Sequence, residues 1–347
     1  LLGSACDAPA AYALASRRSY WAAGDYYVVG GSGRVLFNTS ASVKAGLAAG
    51  GVTFSFYDGD DPVQAAQMMS GATLAIACGG AIAQESWDRP HLRLDQDSFL
   101  TSLVSATADR RAAGVLPPLL VAAMAPGAIT ADWSPNADAA LIVFLGGEAT
   151  GGAIADVLTG AVNPSARLPV TIPVDETDTV APCRELRCEY TEGLHVGWRA
   201  LHGRPVRFAF GHGLSYTSFV YAWEQPPALA HAPSGIPLSA STAALTAPAL
   251  NLSVSVTNTG GVPGADVVQL YLRFPAEAGE PELVLRGFVK TRVLAPAKTE
   301  TVVFVLSRRD LSTWCPGVGW TVARGRVGVV LAASSRDERL VANFTVG

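Results

Sequence analysis

Positive charge is scarce in this sequence. Its 347 residues hold 25 Lys and Arg against 29 Asp and Glu, a formal net charge of −4. No basic stripe is available to neutralise phosphates, which argues against nucleic acid as a main partner. Long apolar runs are missing as well. None approaches the ~20 residues that a membrane-spanning helix needs, so no transmembrane segment is expected. The N-terminus lacks a basic-then-apolar leader. Cysteines number five, at 6, 78, 183, 188 and 315, and no two have the spacing of a zinc knuckle. The histidines (His91, His195, His202, His212 and His231) are scattered and form no H-E-x-x-H or similar ligand set. Neither a metal nor a cofactor is expected. A G-x-S-x-G elbow is also absent, so serine catalysis has no support.

What the sequence has is apolar bulk and turns. Hydrophobic residues make up 49%, with 35 Gly and 22 Pro, enough for two or three domains with sizeable cores. The chain opens Leu1-Leu2-Gly3-Ser4-Ala5, without a Met, like the second half of a strand, and is expected to be a fragment or a processed piece. Cys78 lies in an apolar run and reads as an inert core thiol, whereas Cys183 and Cys188 share a polar loop in which a small disulfide is one of two open readings. Triplets at Asn38, Asn251 and Asn343 match the glycosylation-acceptor pattern and point toward secretion.

Residues 1–175 alternate two kinds of segment. Val52–Phe56, Thr73–Cys78, Pro118–Met124 and Leu141–Leu145 are short apolar runs, as strands buried on both faces read. Between and after them lie helix candidates at 40–49, 62–69, 96–113 and 148–159. That alternation predicts a mostly parallel sheet with helices on both faces. Leu168–Ile172 follows a turn signal and reads as an edge strand, because Pro169 cannot donate to a ladder. Residues 223–245 are rich in Pro, Ala and Ser and read as a linker. From Asn251 the apolar period becomes two, and several short strands in about a hundred residues predict a β-sandwich. Trp314 and Trp320 are expected in its core or in inter-domain packing rather than as a sugar platform.

Four stretches invite chemistry. Gln84-Glu85-Ser86-Trp87-Asp88-Arg89 follows a predicted strand end, where open parallel sheets place functional loops. Trp87 beside Glu85 would desolvate the carboxyl and raise its pKa, with Arg89 setting the local field. From position alone, a plain surface loop with an Asp88–Arg89 helix-entry pair is the favoured reading. Gly146-Gly147-Glu148-Ala149-Thr150-Gly151-Gly152 fits neither G-x-G-x-x-G nor the P-loop, and close helix–sheet packing or a tight turn explains its glycines better. Tyr26–Arg34 holds a glycine-rich loop that can approach a ligand or merely connect, again without phosphate-loop spacing. Asp132-Trp133 could pass for a glycosidase nucleophile but lies in a Pro- and Asn-rich connection and reads as structural.

Longer motifs carry a resemblance. Gly146–Pro173 (with Asn163-Pro-Ser-x-Arg-Leu-Pro), Tyr190–Phe219 (YTEGLHVGWR…FAFGHGLSYTSF), Asn258–Trp314 and Gly30–Arg34 together resemble the C-terminal half of glycoside hydrolase family 3, the β-glucosidases, β-xylosidases and relatives. The resemblance implies an α/β sandwich domain at 1–222 and a fibronectin type III-like domain at 246–347. It implies a missing N-terminal (β/α)-barrel partner that supplies the nucleophilic aspartate, a role not carried onto Asp132. Family members keep their general acid/base on a loop of the second domain, often three residues before an Asp-Arg pair. That position here is Glu85, ahead of Asp88-Arg89, with Arg34 and Trp87 as candidates for lining the substrate pocket. The implied substrate is a β-glucoside or oligosaccharide, cleaved at its non-reducing end by a retaining mechanism with two carboxyls roughly 5 Å apart. One of the two is absent, so the isolated chain is expected to have little or no activity. The competing expectation is a non-catalytic carbohydrate-binding or structural module, and a nucleotide-binding protein is disfavoured. Glu189–Phe219 reads as a joint, its Tyr190, Trp198, Phe208, Phe210, Tyr216 and Phe219 packing the α/β domain onto the sandwich.

Overall fold

The computed structural model describes residues 1–9, 25–35, 37, 41–183, 185–225 and 245–346. Most of the expected linker (226–244) and the Asn38 triplet lie outside them. The chain forms two compact units. One comprises Leu1–Val162, Ile172–Asp178 and Pro205–Arg207, and the other Asn163–Thr171, Thr179–Arg204 and Phe208–Gly347.

The first unit is built on a parallel sheet of β1 (Ala75–Gly80), β2 (Leu119–Ala125) and β3 (Ala139–Phe144), in that order. Every residue of β1 is buried, and all of β2 but Leu120, which is why both read as continuous apolar runs. At β3 the expectation of burial on both faces fails. It is the edge strand of this sheet, and its residues range from half-buried to exposed. On the other side of β1, Leu2 donates to Ile76 O at 2.9 Å and accepts from Cys78 N at 3.1 Å. Tyr57 N–H in turn reaches Leu1 O at 3.0 Å. The strand expected at Val52–Phe56 is therefore only a bridge at Tyr57, since its neighbour is a short segment rather than a ladder.

Four helices appear close to where apolar periodicity puts them: α1 (Val43–Ala49), α2 (Pro62–Met68), α3 (Asp97–Ala112) and α4 (Thr150–Leu158). Local chemistry starts the first two. Ser42 Oγ accepts the Ala45 N–H at 3.1 Å, and Asp61 accepts from Val63 N–H at 2.8 Å with Pro62 in the first turn. The helices α1 and α4 approach backbone to backbone. A Cβ on Gly46 would stand 2.0 Å from the Gly151 carbonyl, and one on Gly151 would stand 2.1 Å from Ser42 O. Of the Gly146–Gly152 stretch, Gly151 thus serves close packing, helix on helix rather than helix on sheet, and Gly147 takes the φ of +64° that a tight turn requires.

Cys78 is no free core thiol. The turn at Ser4–Asp7 brings Cys6 against β1, and the two cysteines are disulfide-bonded across 72 positions. The pairing of Leu2 beside β1 makes this contact possible. Cys183 and Cys188 are also bonded to each other.

The second unit is an antiparallel sandwich. One sheet has the order β10-β7-β6, with β6 at Phe219–Gln225, β7 at Pro248–Asn258 and β10 at Thr299–Ser307. The other has the order β14-β13-β8-β9, with β8 at Val267–Arg273, β9 at Val284–Lys290, β13 at Gly325–Ser334 and β14 at Asp337–Val346. Alternate residues such as Leu252, Val254, Val256, Val268, Leu270, Val327 and Val329 fill one core. Because β6 pairs along β7, the sandwich begins at Phe219, and an expected boundary at 222 cuts its first strand.

Residues of the Asn163-Pro-Ser-x-Arg-Leu-Pro motif belong to this unit. Asn163 donates to Pro263 O at 2.9 Å and accepts from Ser215 Oγ at 3.0 Å. Arg167 pairs with the buried Asp266, which also accepts from Tyr221 OH at 2.7 Å. Leu168 exchanges backbone bonds with Gly211 and His212 and is not the edge strand expected there; only Ile172–Pro173 is a strand, β4, and it pairs with β5 (Val206–Phe208). Trp198 stacks on Phe210 at 5.3 Å and meets the edge of Tyr271 at 5.6 Å. Tyr190 and Tyr216, expected to pack, are exposed. Trp314 and Trp320 also depart from expectation. They face each other across a separate hairpin, β11 (Ser312–Cys315) and β12 (Gly319–Val322), outside both sheets, and Trp314 is exposed.

Candidate active site

The loop after β1 starts from a fixed end. At Gly80 a Cβ would meet the Tyr26 ring at 2.2 Å, so glycine lets the ring lie against the strand. Tyr26 OH donates to Asp95 at 3.0 Å and accepts from Gln96 Nε2 at 3.0 Å. Gln96 also accepts the Gly80 N–H at 3.0 Å. Burial, with the Asp95 carboxylate beside it, pushes the Tyr26 hydroxyl well above its ordinary pKa, so it stays protonated and acts as a structural donor.

Beyond this end the glycine-rich loop lies alongside. Gly30 N–H donates to Ala83 O at 2.8 Å, and Glu85 N–H donates to Gly30 O at 3.2 Å, a parallel bridge between Gly30 and Gln84. The chain then turns sharply. Ser86 has φ +64°, and Trp87 N–H returns to Gln84 O at 3.3 Å. Gly31, at φ +98°, leaves the space where its own Cβ would be to Glu85, whose Cβ lies 2.5 Å from that point. Ser32 follows and closes on the carboxylate. Its N–H donates to Glu85 Oε2 at 2.9 Å and its Oγ to the same oxygen at 2.7 Å.

These two donors hold the Glu85 carboxyl below the usual carboxylate range, with slight desolvation opposing them. The expected upward shift from Trp87 does not occur in this chain. Trp87 is 67% exposed, so it offers Glu85 little shelter. Arg89 does not set the field either. Its guanidinium donates to Ala128 O at 3.2 Å and Arg93 O at 3.1 Å, and the charges acting on it are Asp95 and Glu176.

The expected site residues therefore separate. Glu85 and the loop carrying Arg34 come together, and the Arg34 N–H closes a turn on Gly31 O at 3.2 Å with the residue half-buried. Trp87 instead lines a cavity of about 280 Å³ with Gln84, Asp88, Arg89, His91 and Arg93, a cavity that neither Glu85 nor Arg34 borders. Trp133 is buried at the head of a single helical turn with Asp132 half-buried beside it, in keeping with a structural connection. Ser32 was missed by sequence reasoning. The glycines on either side mark a loop of unusual backbone freedom, but nothing in the spacing says where its one hydroxyl points.

The model of the "Glycosyl hydrolase family 3 C-terminal domain" matches residues 14–216. The chain belongs to glycoside hydrolase family 3. A "Fibronectin type III-like domain" matches residues 266–335 of this family 3 chain, within the sandwich. Among curated proteins, "Probable beta-glucosidase D" of Aspergillus niger is 42% identical over 61% of this chain and 29% of its own length. "Probable beta-glucosidase L" of Emericella nidulans is 34% identical over 88% of this chain and 43% of its own length. Among solved structures, beta-glucosidase D2-BGL from Chaetomella Raphigera superposes with a TM-score of 0.84 at 28% identity, covering all of this chain and 50% of that one. The family 3 chain thus spans less than half the length of the curated relatives named here. The α/β sandwich followed by a fibronectin type III-like domain is the architecture that the motifs implied.

Proposed function

We propose that this chain is the acid/base-bearing C-terminal part of a retaining β-glycosidase acting on β-glucosides or related oligosaccharides. The observation that carries this reading is Glu85. It sits on the loop after a parallel strand of a family 3 C-terminal domain, clamped at one oxygen by the glycine-rich loop. The nucleophile would come from a (β/α)-barrel outside this chain.

In the first half-reaction, Glu85 in its acid form protonates the glycosidic oxygen as that oxygen leaves the anomeric carbon, and the barrel's carboxylate takes the carbon. In the second, Glu85 as base removes a proton from water, whose oxygen displaces the carboxylate, and the acid form is restored. An acid of this kind must hold its proton near neutral pH. In this chain the carboxyl is solvated and held low, so closure by substrate and barrel would have to supply the desolvation that raises it. Arg34 and Trp87 are proposed to border the sugar in that closed state. The Cys6–Cys78 disulfide favours an oxidising, extracytoplasmic setting.

The test joins this chain to a family 3 barrel and assays an aryl β-glucoside. Glu85→Gln is expected to lose about 10²–10⁴-fold in turnover of substrates with poor leaving groups, with azide restoring activity in Glu85→Ala. The isolated chain should show no turnover. Activity untouched by Glu85→Gln would sink the catalytic reading and leave a binding or structural module.

A further inference from the structure

Ser32 places two donors on one oxygen of Glu85 and none on the other. We infer that Ser32 is a positioning residue that blocks Oε2 and so reserves Oε1 of Glu85 as the oxygen that gives and takes the proton. The inference rests on the acid/base reading above and adds which atom acts and what holds it.

Donors and acceptors decide which oxygen carries the proton. The two Ser32 donors fill both acceptor sites of Oε2, so a proton there would displace one of them and leave the backbone N–H, 2.9 Å away and able only to donate, on a weaker acceptor. The hydroxyl, 2.7 Å from the same oxygen, could rotate to accept, but the N–H could not. When Glu85 is protonated, the proton therefore resides on Oε1. Proton delivery and return then involve one geometry rather than two, which is how positioned acids gain their advantage.

The surrounding backbone fixes this contact. The Gly30 bonds to Ala83 and Glu85 set the register of the two loops, so Ser32 meets the carboxylate two residues on. Gly31 is required between them. A side chain there would have its Cβ 2.5 Å from the Glu85 Cβ and 2.8 Å from Oε2, and φ +98° disfavours any non-glycine residue. The spacing Gly-Ser two residues ahead of Arg34 and the Glu85 loop thus form one unit, although 53 positions separate Ser32 from Glu85. Two donors also favour the ionised form, in accord with the low-held carboxyl.

The experiment is a carbon-13 NMR titration of the whole chain labelled at glutamate carboxyls, with Glu85 assigned by its loss in Glu85→Gln. Ser32→Ala should move the Glu85 titration to higher pH, and Ser32→Thr, which keeps the hydroxyl, should restore it. Gly31→Ala should move it the same way by pushing Glu85 off the donors. Circular dichroism of each variant reports whether the fold is kept. A Glu85 titration unchanged in both Ser32→Ala and Gly31→Ala would overturn the inference. In the barrel-joined enzyme, Ser32→Ala should lower kcat roughly tenfold with KM little changed, and should shift the limb of the pH profile that reports Glu85. A titration shift without loss of activity in Glu85→Gln would leave the hydrogen bonds standing but overturn the acid/base reading, and with it the proton-transfer role of Ser32. Loss of activity in Glu85→Gln without a titration shift in either Ser32→Ala or Gly31→Ala would do the reverse.

Discussion

His212 stacks its imidazole on Phe208 at 5.8 Å, and burial, aided by nearby Arg167, lowers its pKa from 6.5. Above 6.5 the ring is neutral in both folded and unfolded chains and adds no slope. As pH falls below that value the unfolded chain binds a proton that the folded one resists, so stability declines until the lower folded pKa is reached. Urea unfolding of the sandwich measured from about pH 7 to pH 5 should show this decline, and His212→Gln should remove that share of it. Identical slopes for the two proteins would refute the assignment. Asp266 makes a larger claim. It is buried and holds both Arg167 and the Tyr221 hydroxyl. Asp266→Ala strands a buried guanidinium and should cost about 3–5 kcal/mol. Tyr221→Phe, which loses one hydroxyl bond, should cost roughly 1–2 kcal/mol in the same assay. Residue identities of this kind were only partly legible in the sequence. Glu85 could be singled out because it follows a strand end, and the family resemblance, with Asp88-Arg89 three residues on, suggested a role for it. The state of its carboxyl was not legible. Adjacency to Trp87 suggested shelter, but the Ser86 turn leaves the indole in solvent and a serine 53 positions away controls the charge.

Elements were easier to read than their partners. The helices α1 to α4 and strands β1 and β2 carry their period or their unbroken apolar run in a few consecutive residues, so they needed no tertiary information. Segments whose structure depends on a distant neighbour were misread. Val52–Phe56 has strand composition but pairs only through Tyr57, and β6 does not read as a strand at all because its partner β7 lies beyond the linker. Glycines pose the same problem, since the sequence cannot say which of them touches another backbone. On α4, Gly151 packs against Ser42 O and the adjoining Gly152 faces open space. Gly151→Ala should destabilise the first unit by about 1–3 kcal/mol or more through overpacking. Gly152→Ala should instead stabilise it by roughly 0.5–1 kcal/mol, because helical alanine has less backbone freedom to lose. Chemical denaturation of both variants decides the matter, and equal effects would contradict the close α1–α4 contact.

At the scale of the molecule, each unit has its own core. Tyr27, Leu47, Ile76, Met124 and Ile154 fill one, and Leu252, Val254, Leu270 and Val329 belong to the other. The switch of apolar period from unbroken runs to strict alternation made that division visible in the sequence. Invisible there was the covalent tie within the first unit, because Cys6 and Cys78 are brought together only by the pairing of Leu2 with β1. Closing 72 positions of chain restricts the unfolded ensemble, and chain-entropy estimates put the stabilisation at about 4 kcal/mol. A Cys6→Ser, Cys78→Ser double variant should lose about that much from the first unit. Amide hydrogen exchange separates the units by sequence, so β1 and β2 should exchange faster in the variant while β7, β8 and β13 keep their protection. Replacing both cysteines also avoids leaving one reactive thiol behind. Equal acceleration in both sets of strands would show that the disulfide stabilises the chain as one cooperative body, and no acceleration in either would show that the loop contributes nothing to the unfolded-state entropy.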